Sequence, residues 1–296
     1  MCYNRQRSSQ SLNYEKILPM QLIDMHVHIG RLLHDLPFLE VDDLLAEMDE
    51  RSIERAVVMS VENPEEVDFY VTSNQVLEAC AQHPDRLIPF CSVDPRHRYP
   101  GEFDPMPILG EYVERGCRGV GEMLAGLQVD DERMQVLYAA CGELRLPIAL
   151  HMDDHICRDD IGLPGLERML QQFPETVFIG HAQHFWAEIS AEVPADKLRD
   201  YPTGPVVPGG ALDRLLTTYP NLYGDLSAMS AYNALTRDLE FGLSFMERHQ
   251  DKLLFATDLL KPGQETPIVA FLLDADISQE ARERIVSGNA TRLLGI

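Results

Sequence analysis

Short apolar runs alternate with longer amphipathic stretches along this chain, without a break from residue 21 to the end. Parallel strands joined by crossover helices demand this pattern: strands covered on both faces are apolar throughout, while each helix keeps one solvent face. Eight strands are read, Gln21 to His26, Arg55 to Val61, Leu87 to Val93, Gly119 to Met123, Pro147 to His151, Thr176 to His181, Leu222 to Leu226 and Leu253 to Thr257. The helices between and after them are Asp42 to Arg51, Glu66 to Gln82, Met106 to Arg115, Asp131 to Leu144, Leu163 to Gln172, Gly210 to Thr218, Leu235 to His249 and Thr266 to Leu273. His83-Pro84, Phe173-Pro174 and Tyr219-Pro220 stop three of them, because the residue before a proline is driven out of the helical region. An open doubly wound sheet shares this alternation, so periodicity alone leaves two α/β architectures.

The strand ends decide between them. The first strand runs Ile23-Asp24-Met25-His26-Val27-His28, and side chains alternate along a strand, so His26 and His28 are expected on one face with Met25 and Val27 on the other. Two later apolar strands end in His151 and His181, and the last ends in Asp258. In a (β/α)8 TIM barrel all C-terminal strand ends converge on one mouth, where these imidazoles and the carboxylate would hold a first-row divalent ion. His155, His184, Asp153 and Asp154 fall in the loops just behind and are read as solvated or capping groups. Trp186, Tyr201 and Tyr232 are divided between lining a pocket and packing on their own loop, and no role falls to His34, His83, His97 or His249.

The 296 residues fit one barrel domain spanning 1–296, with residues 1–16 as a polar arm. Residues 182–209 form a connection far longer than usual, carry several prolines, and are expected to lie over the barrel mouth and set substrate choice. Forty-eight acidic against 25 basic residues give a net charge of −23, which repels nucleic acid and anionic membranes. No apolar run reaches the roughly 18 residues of a membrane span. Six cysteines without a CxxC pair, and the lack of a leader, point to a reducing cytoplasm. The expected partner is a small-molecule substrate, with a homo-oligomer left open.

His26-x-His28, His151, His181 and Asp258, followed by the closing segment Ser287-Gly288-Asn289-Ala290-Thr291-Arg292-Leu293-Leu294-Gly295, resemble the amidohydrolase superfamily in its amidohydrolase-related branch, over nearly the whole chain. The resemblance implies a metal held by His26, His28, His151 and Asp258, with His181 either ligating a second ion or polarising the substrate. It also places Glu122 where relatives carry a metal-bridging carboxylated Lys or a Glu. The Gly121-Glu122 step is similar to TatD-type nucleases as well, a reading that the negative charge opposes. That branch includes hydrolases of lactones and C–C bonds and also decarboxylases, so it fixes fold and metal better than reaction.

The expected activity is metal-dependent hydrolysis of a small carboxyl-type substrate (lactone, ester or amide), with Asp258 as ligand and acid–base and His181 stabilising the oxyanion. Zn2+ is the expected cofactor, as one or two ions, with Mn2+ if Glu122 builds a second site. Non-oxidative decarboxylation on the same metal is the alternative, and a non-catalytic metal-binding protein stands further off.

Overall fold

The computed structural model describes residues 21–30, 37–65, 70–97, 102–194 and 198–296, so the expected arm over 1–16 and His34 lie outside the described residues. Eight strands form one sheet in chain order, each parallel to its neighbour: β1 (Leu22–Val27), β2 (Ile53–Met59), β3 (Leu87–Cys91), β4 (Gly119–Met123), β5 (Ile148–His151), β6 (Phe178–His181), β7 (Leu222–Asp225) and β8 (Leu253–Leu254). The regular ladder of β8 stops at Leu254, short of the expected Thr257. Beyond it the backbone hydrogen-bonds to β1 instead: Met25 N to Phe255 O, Asp258 N to His26 O and His28 N to Leu259 O, each 2.9 Å. These bonds close the eight strands into a barrel, as the alternation together with the strand-end motifs predicted.

Twelve α-helices are defined among the described residues: α1 (Val41–Glu50), α2 (Ser73–Gln82), α3 (Met106–Glu114), α4 (Glu132–Leu144), α5 (Pro164–Gln172), α6 (Ala182–Ala187), α7 (Ala211–Thr218), α8 (Ala228–Thr236), α9 (Leu239–Arg248), α10 (Pro267–Asp274), α11 (Gln279–Glu283) and α12 (Asn289–Leu294), the last two joined by a π-helical turn over Arg284–Gly288. Three expectations are corrected here. Helix α2 starts at Ser73 rather than Glu66, because Thr72 and Gln75 form a reciprocal capping box that fixes its first turn; residues 66–69 lie outside the described residues. The single helix expected over Leu235–His249 is two, divided where Asp238 accepts a hydrogen bond from Phe241 N and caps α9. The connection over 182–209 is not a loop throughout, since it opens with α6, whose His184, Phe185 and Trp186 are buried.

Inside the barrel, Ile23, Met25, Val57, Met59, Phe90 and Leu254 belong to one buried apolar cluster, so the lumen is a packed floor rather than a pore. Phe90 lies so close to Gly119 that an added Cβ there would stand 2.3 Å from its ring. Val27 and Ile29 belong instead to the outer core between strands and helices. The register of β1 against β2 slips between Asp24 and Val27. This bulge explains why Met25 and His26, adjacent in sequence, both face the barrel interior, which corrects the simple alternation expected for them. A second slip between Val120 and Met123 of β4 likewise leaves Gly121 and Glu122 both inward: Gly121 abuts Ala149 and Met59, and Glu122 meets the histidines. Asn289 in the closing segment is fully buried and donates to Gln250 O (2.6 Å) and Leu253 O (2.8 Å), tying the C-terminal helices to the start of β8.

Candidate metal centre

Residues at or just beyond the ends of β1, β4, β5, β6, β7 and β8 gather in one cluster at the C-terminal mouth. His26 and His28 bring their Nε2 atoms within 3.0 Å of each other. Glu122 Oε2 stands 3.6 Å from His26 Nε2 and 3.4 Å from His28 Nε2. Asp258 Oδ1 stands 3.8 Å and 3.6 Å from the same two atoms. His181 Nε2 is 3.7 Å from Glu122 Oε1.

The far ring nitrogens say which atoms are free to ligate. His26 Nδ1 meets Asp225 Oδ2 at 2.7 Å and His28 Nδ1 meets the carbonyl of Met59 at 3.2 Å, and both acceptors demand a proton on Nδ1. Each Nε2 then presents a lone pair to the other, which repels unless a cation lies between them. The spacing fits one: four ligands at bond lengths of about 2.0–2.2 Å in a tetrahedron lie roughly 3.3–3.6 Å apart. The donor atoms form two overlapping trios that share His26, one with Glu122 and His181 and the other with His28 and Asp258. This donor set of imidazoles and carboxylates suits a divalent transition ion.

His151 stands apart from both trios. Its Nδ1 is 2.7 Å from Glu122 Oε1 and its Nε2 is 3.7 Å from Asp153 Oδ2. The structure therefore brings His26, His28, Glu122, His181 and Asp258 together around shared space and places His151 beside Glu122. Register pairing sets His151 directly against His181 in β5 and β6.

Charge dominates the titration of the centre. Burial would lower the pKa of His26, but the carboxylates of Asp225 and Glu122 outweigh it and hold the imidazole well above its ordinary value. His151, opposed by burial and raised chiefly by Glu122, is pushed up to about 10. Burial would raise the pKa of Glu122, yet His26 and His151 hold it well below the usual carboxylate range. The centre thus demands positive charge, which a bound metal would supply in place of the protons.

Two residues with a part in the centre were missed from sequence. Asp225 ends β7 with no solvent exposure, faces His26 Nδ1 and lies 3.7 Å from His181 Nδ1, and is held far below its ordinary value by both histidines despite burial. It ends its strand as Asp258 follows the last, a signal obscured by reading that strand on to Leu226. Ser227, 2.9 Å from His181 Nδ1, orients the second imidazole. Nearby, the fully buried Asp24 accepts from His26 N, Thr257 N and Thr257 Oγ1 at 3.0, 3.0 and 2.6 Å, joining β1 to the chain beyond β8. Asp258 itself sits at φ +56, as do Ala182 (+76) and Ala228 (+58) at the equivalent places after β6 and Ser227. Non-glycine residues rarely adopt this left-handed region, and such strain gathers at functional sites.

Other expected residues divide. His155 is exposed beside Asp154, as a solvated loop histidine should be. His184 is a correction: it is fully buried in α6, 3.3 Å from Glu188 Oε1, because the segment is helical and packs against α8. Trp186 is also core, donating to Asp225 O at 2.9 Å and resting on Gly224, while Tyr201 is exposed and Tyr232 packs against Phe271. Asp153 caps its own loop, accepting from His155 N and Ile156 N at 2.6 Å, while also facing His151.

The family model described as Amidohydrolase matches residues 23–296. Among solved structures, a TIM-barrel protein from Bordetella bronchiseptica is 19% identical with TM-score 0.67, over 93% of this chain and 98% of that one. A probable 2-pyrone-4,6-dicarboxylic acid hydrolase from Acinetobacter baumannii, with citric acid bound, is 16% identical with TM-score 0.62, over 94% and 100%. A dihydroxybenzoic acid decarboxylase from Polaromonas sp. JS666, with bound manganese and the inhibitor 2-nitroresorcinol, is 17% identical with TM-score 0.58, over 93% and 97%. No curated protein matches the sequence. No helix among the described residues is long and apolar enough to cross a membrane.

Proposed function

The chain is an enzyme of the amidohydrolase family, and from that membership we propose that it hydrolyses a small carboxyl-type substrate at one or two divalent metal ions held among His26, His28, Glu122, His151, His181 and Asp258. The observation that carries the reading is the pair of Nε2 atoms 3.0 Å apart, with Glu122 and Asp258 oxygens at 3.4–3.8 Å around them. Zinc is the favoured ion for such a set, with manganese next. When bound, the metal supplies Lewis acidity that makes water ionisable near neutral pH and polarises a substrate carbonyl.

The side chains supply the rest. Asp258 is about one-fifth exposed, the most open of the cluster's carboxylates, and takes the water's proton and returns it to the leaving group. Where the other residues hold a single ion, His181, kept in place through Nδ1 by Ser227, turns a protonated Nε2 toward the cluster and donates to the oxygen that gains charge; with a second ion the same Nε2 is a ligand instead. Asp225 fixes the ring of His26 and braces that of His181. The segment over 182–209 is assigned to the wall and cover of the mouth: α6 begins directly after His181, His184 N bonds Met152 O, and Arg199 pairs with Asp154 at 2.7 Å.

Non-oxidative decarboxylation is the second reading, favoured by the bound manganese and the named activity of the Polaromonas neighbour. There, proton delivery to carbon replaces attack by water. The deciding experiment sets metal-loaded protein against a panel of lactones and esters beside hydroxybenzoate-type acids, following acid release in one arm and carbon dioxide in the other. Carbon dioxide evolution with no hydrolysis would overturn the hydrolase reading.

A further inference from the structure

At the opposite pole of the barrel lies a cavity of about 200 Å³ walled by the beginnings of β2, β3 and β4 and by the C-terminal end of α2. Three arginines line it, Arg55, Arg115 and Arg118, together with Ile296. Arg55 belongs to β2, Arg115 caps the end of α3, and Arg118 is held in front of β4 by its backbone bond to Pro89 O. Leu77, Pro84, Leu87 and Pro89 supply an apolar wall around them.

The three have few anionic partners in a chain with 48 acidic residues. Arg86, Arg96, Arg133 and Arg214 each rest on a carboxylate at 2.6–2.7 Å. Among the described residues, Arg55 and Arg118 have no ion pair, and Arg55 Nε is buried with no hydrogen-bond partner. Arg115 donates to the neutral Asn74 Oδ1 at 2.5 Å and reaches only the exposed Glu111, at 3.7 Å. Three like charges gathered against an apolar wall repel one another, and a buried donor left unmade costs on the order of 1–3 kcal/mol. A bound oxyanion relieves both costs, because guanidinium forks match the planar oxygen pairs of phosphate and carboxylate.

We propose that this cavity is an anion site, remote from the metal centre, which takes a small, multiply charged oxyanion of the phosphate class. Its volume admits a phosphate group with a few further atoms, well below the roughly 300 Å³ at which drug-sized pockets begin. A ligand there bridges β2, α3 and β4 and stabilises the folded chain in proportion to its concentration.

Calorimetric titration of the metal-loaded protein with inorganic phosphate at low ionic strength tests this, with Arg55→Gln, Arg118→Gln and the double variant as one arm and His28→Ala as the other. One saturable site is expected, its Kd raised about tenfold or more by either arginine substitution and unchanged by His28→Ala. Phosphate should raise the melting temperature of the parent but not of the double variant, and without phosphate the double variant should melt no lower than the parent. Three results overturn the proposal: no saturable binding, binding that survives the double variant and disappears in His28→Ala, or a phosphate-free double variant that melts well below the parent, since these guanidiniums would then be held by the protein itself.

Discussion

The floor and the mouth of the barrel are built from the same strands, yet they share almost no chemistry. Met25 packs in the apolar floor and the next residue, His26, lies in the ionic cluster; Ala256 and Asp258, two residues apart, divide in the same way. Between them the environment changes from dispersion contacts to a network of imidazoles and carboxylates within a few ångströms. The dry layer beneath keeps water from the lower side of the cluster, which strengthens every charge interaction above it. In a barrel so arranged, the mouth should govern activity and the floor stability, with little exchange between the two.

The sharpest way to break that division is Asp258→Asn. Asparagine keeps an oxygen that can approach the metal but cannot accept a proton, so kcat should fall roughly 10²-fold to 10⁴-fold while metal content and melting temperature stay near parental. Near-parental kcat with full metal occupancy would transfer the base role to another residue of the mouth. Phe90→Ala is the reciprocal test. Phe90 is fully buried in the floor, and its truncation should cost about 3–5 kcal/mol in chemical denaturation. Metal affinity of the folded fraction should not change; a matching loss of metal would show that floor packing sets the ligand geometry.

Asp225→Asn probes the boundary, since Asp225 touches no reacting atom yet holds His26 Nδ1 at 2.7 Å. Loss of such a partner typically weakens metal binding 10-fold to 100-fold, which a chelator competition assay reads directly. An unchanged affinity would mean that His26 is placed by the strand alone.

How much of this was legible in the sequence follows the regularity of the strands. β5 and β6 are in unbroken register, and they end in His151 and His181 as the apolar runs predicted, the two standing opposite each other. β1 and β4 each slip register, so counting by twos set Met25 on the wrong face, although the His26-x-His28 pair still signalled a metal. Slips of this kind depend on contacts with neighbouring strands, which local periodicity does not encode. β8 carries only two ladder residues, and the end of its strand is set by hydrogen bonds to Asp24 more than 200 positions earlier. The helical turn at α6 was hidden for another reason: prolines farther along suggested a loop for the whole of 182–209, while residues 182–187 carry none.

The smallest expected effect lies on the rim, where charge does the work of packing. Arg96 forks onto Glu65 at 2.6 and 2.7 Å and binds Asp94 through Nε, Nη2 and its backbone N at 2.9, 2.6 and 2.8 Å. Asp94 also accepts from Asn63 Nδ2 at 2.7 Å, and Asn63 Oδ1 accepts from Leu124 N at 2.8 Å, so the loops after β2, β3 and β4 are laced together. The Arg96 guanidinium lowers Glu65 below the usual carboxylate range, and it does the same for Asp94 against the opposing effect of burial. Charged hydrogen bonds contribute about 1.5–3 kcal/mol each when sheltered, and Arg96 is one-quarter exposed, so Arg96→Gln should cost only about 1–2 kcal/mol near neutral pH. The sign with pH follows from the lowered values: the two carboxylates contribute fully above their unfolded pKa near 4 and lose that contribution as pH falls through the folded ones. Denaturant titrations at neutral pH and near pH 3 should therefore show the gap between parent and Arg96→Gln shrinking in acid. A gap that stays constant across that range would make Arg96 a packing residue and place the rim with the floor rather than with the mouth.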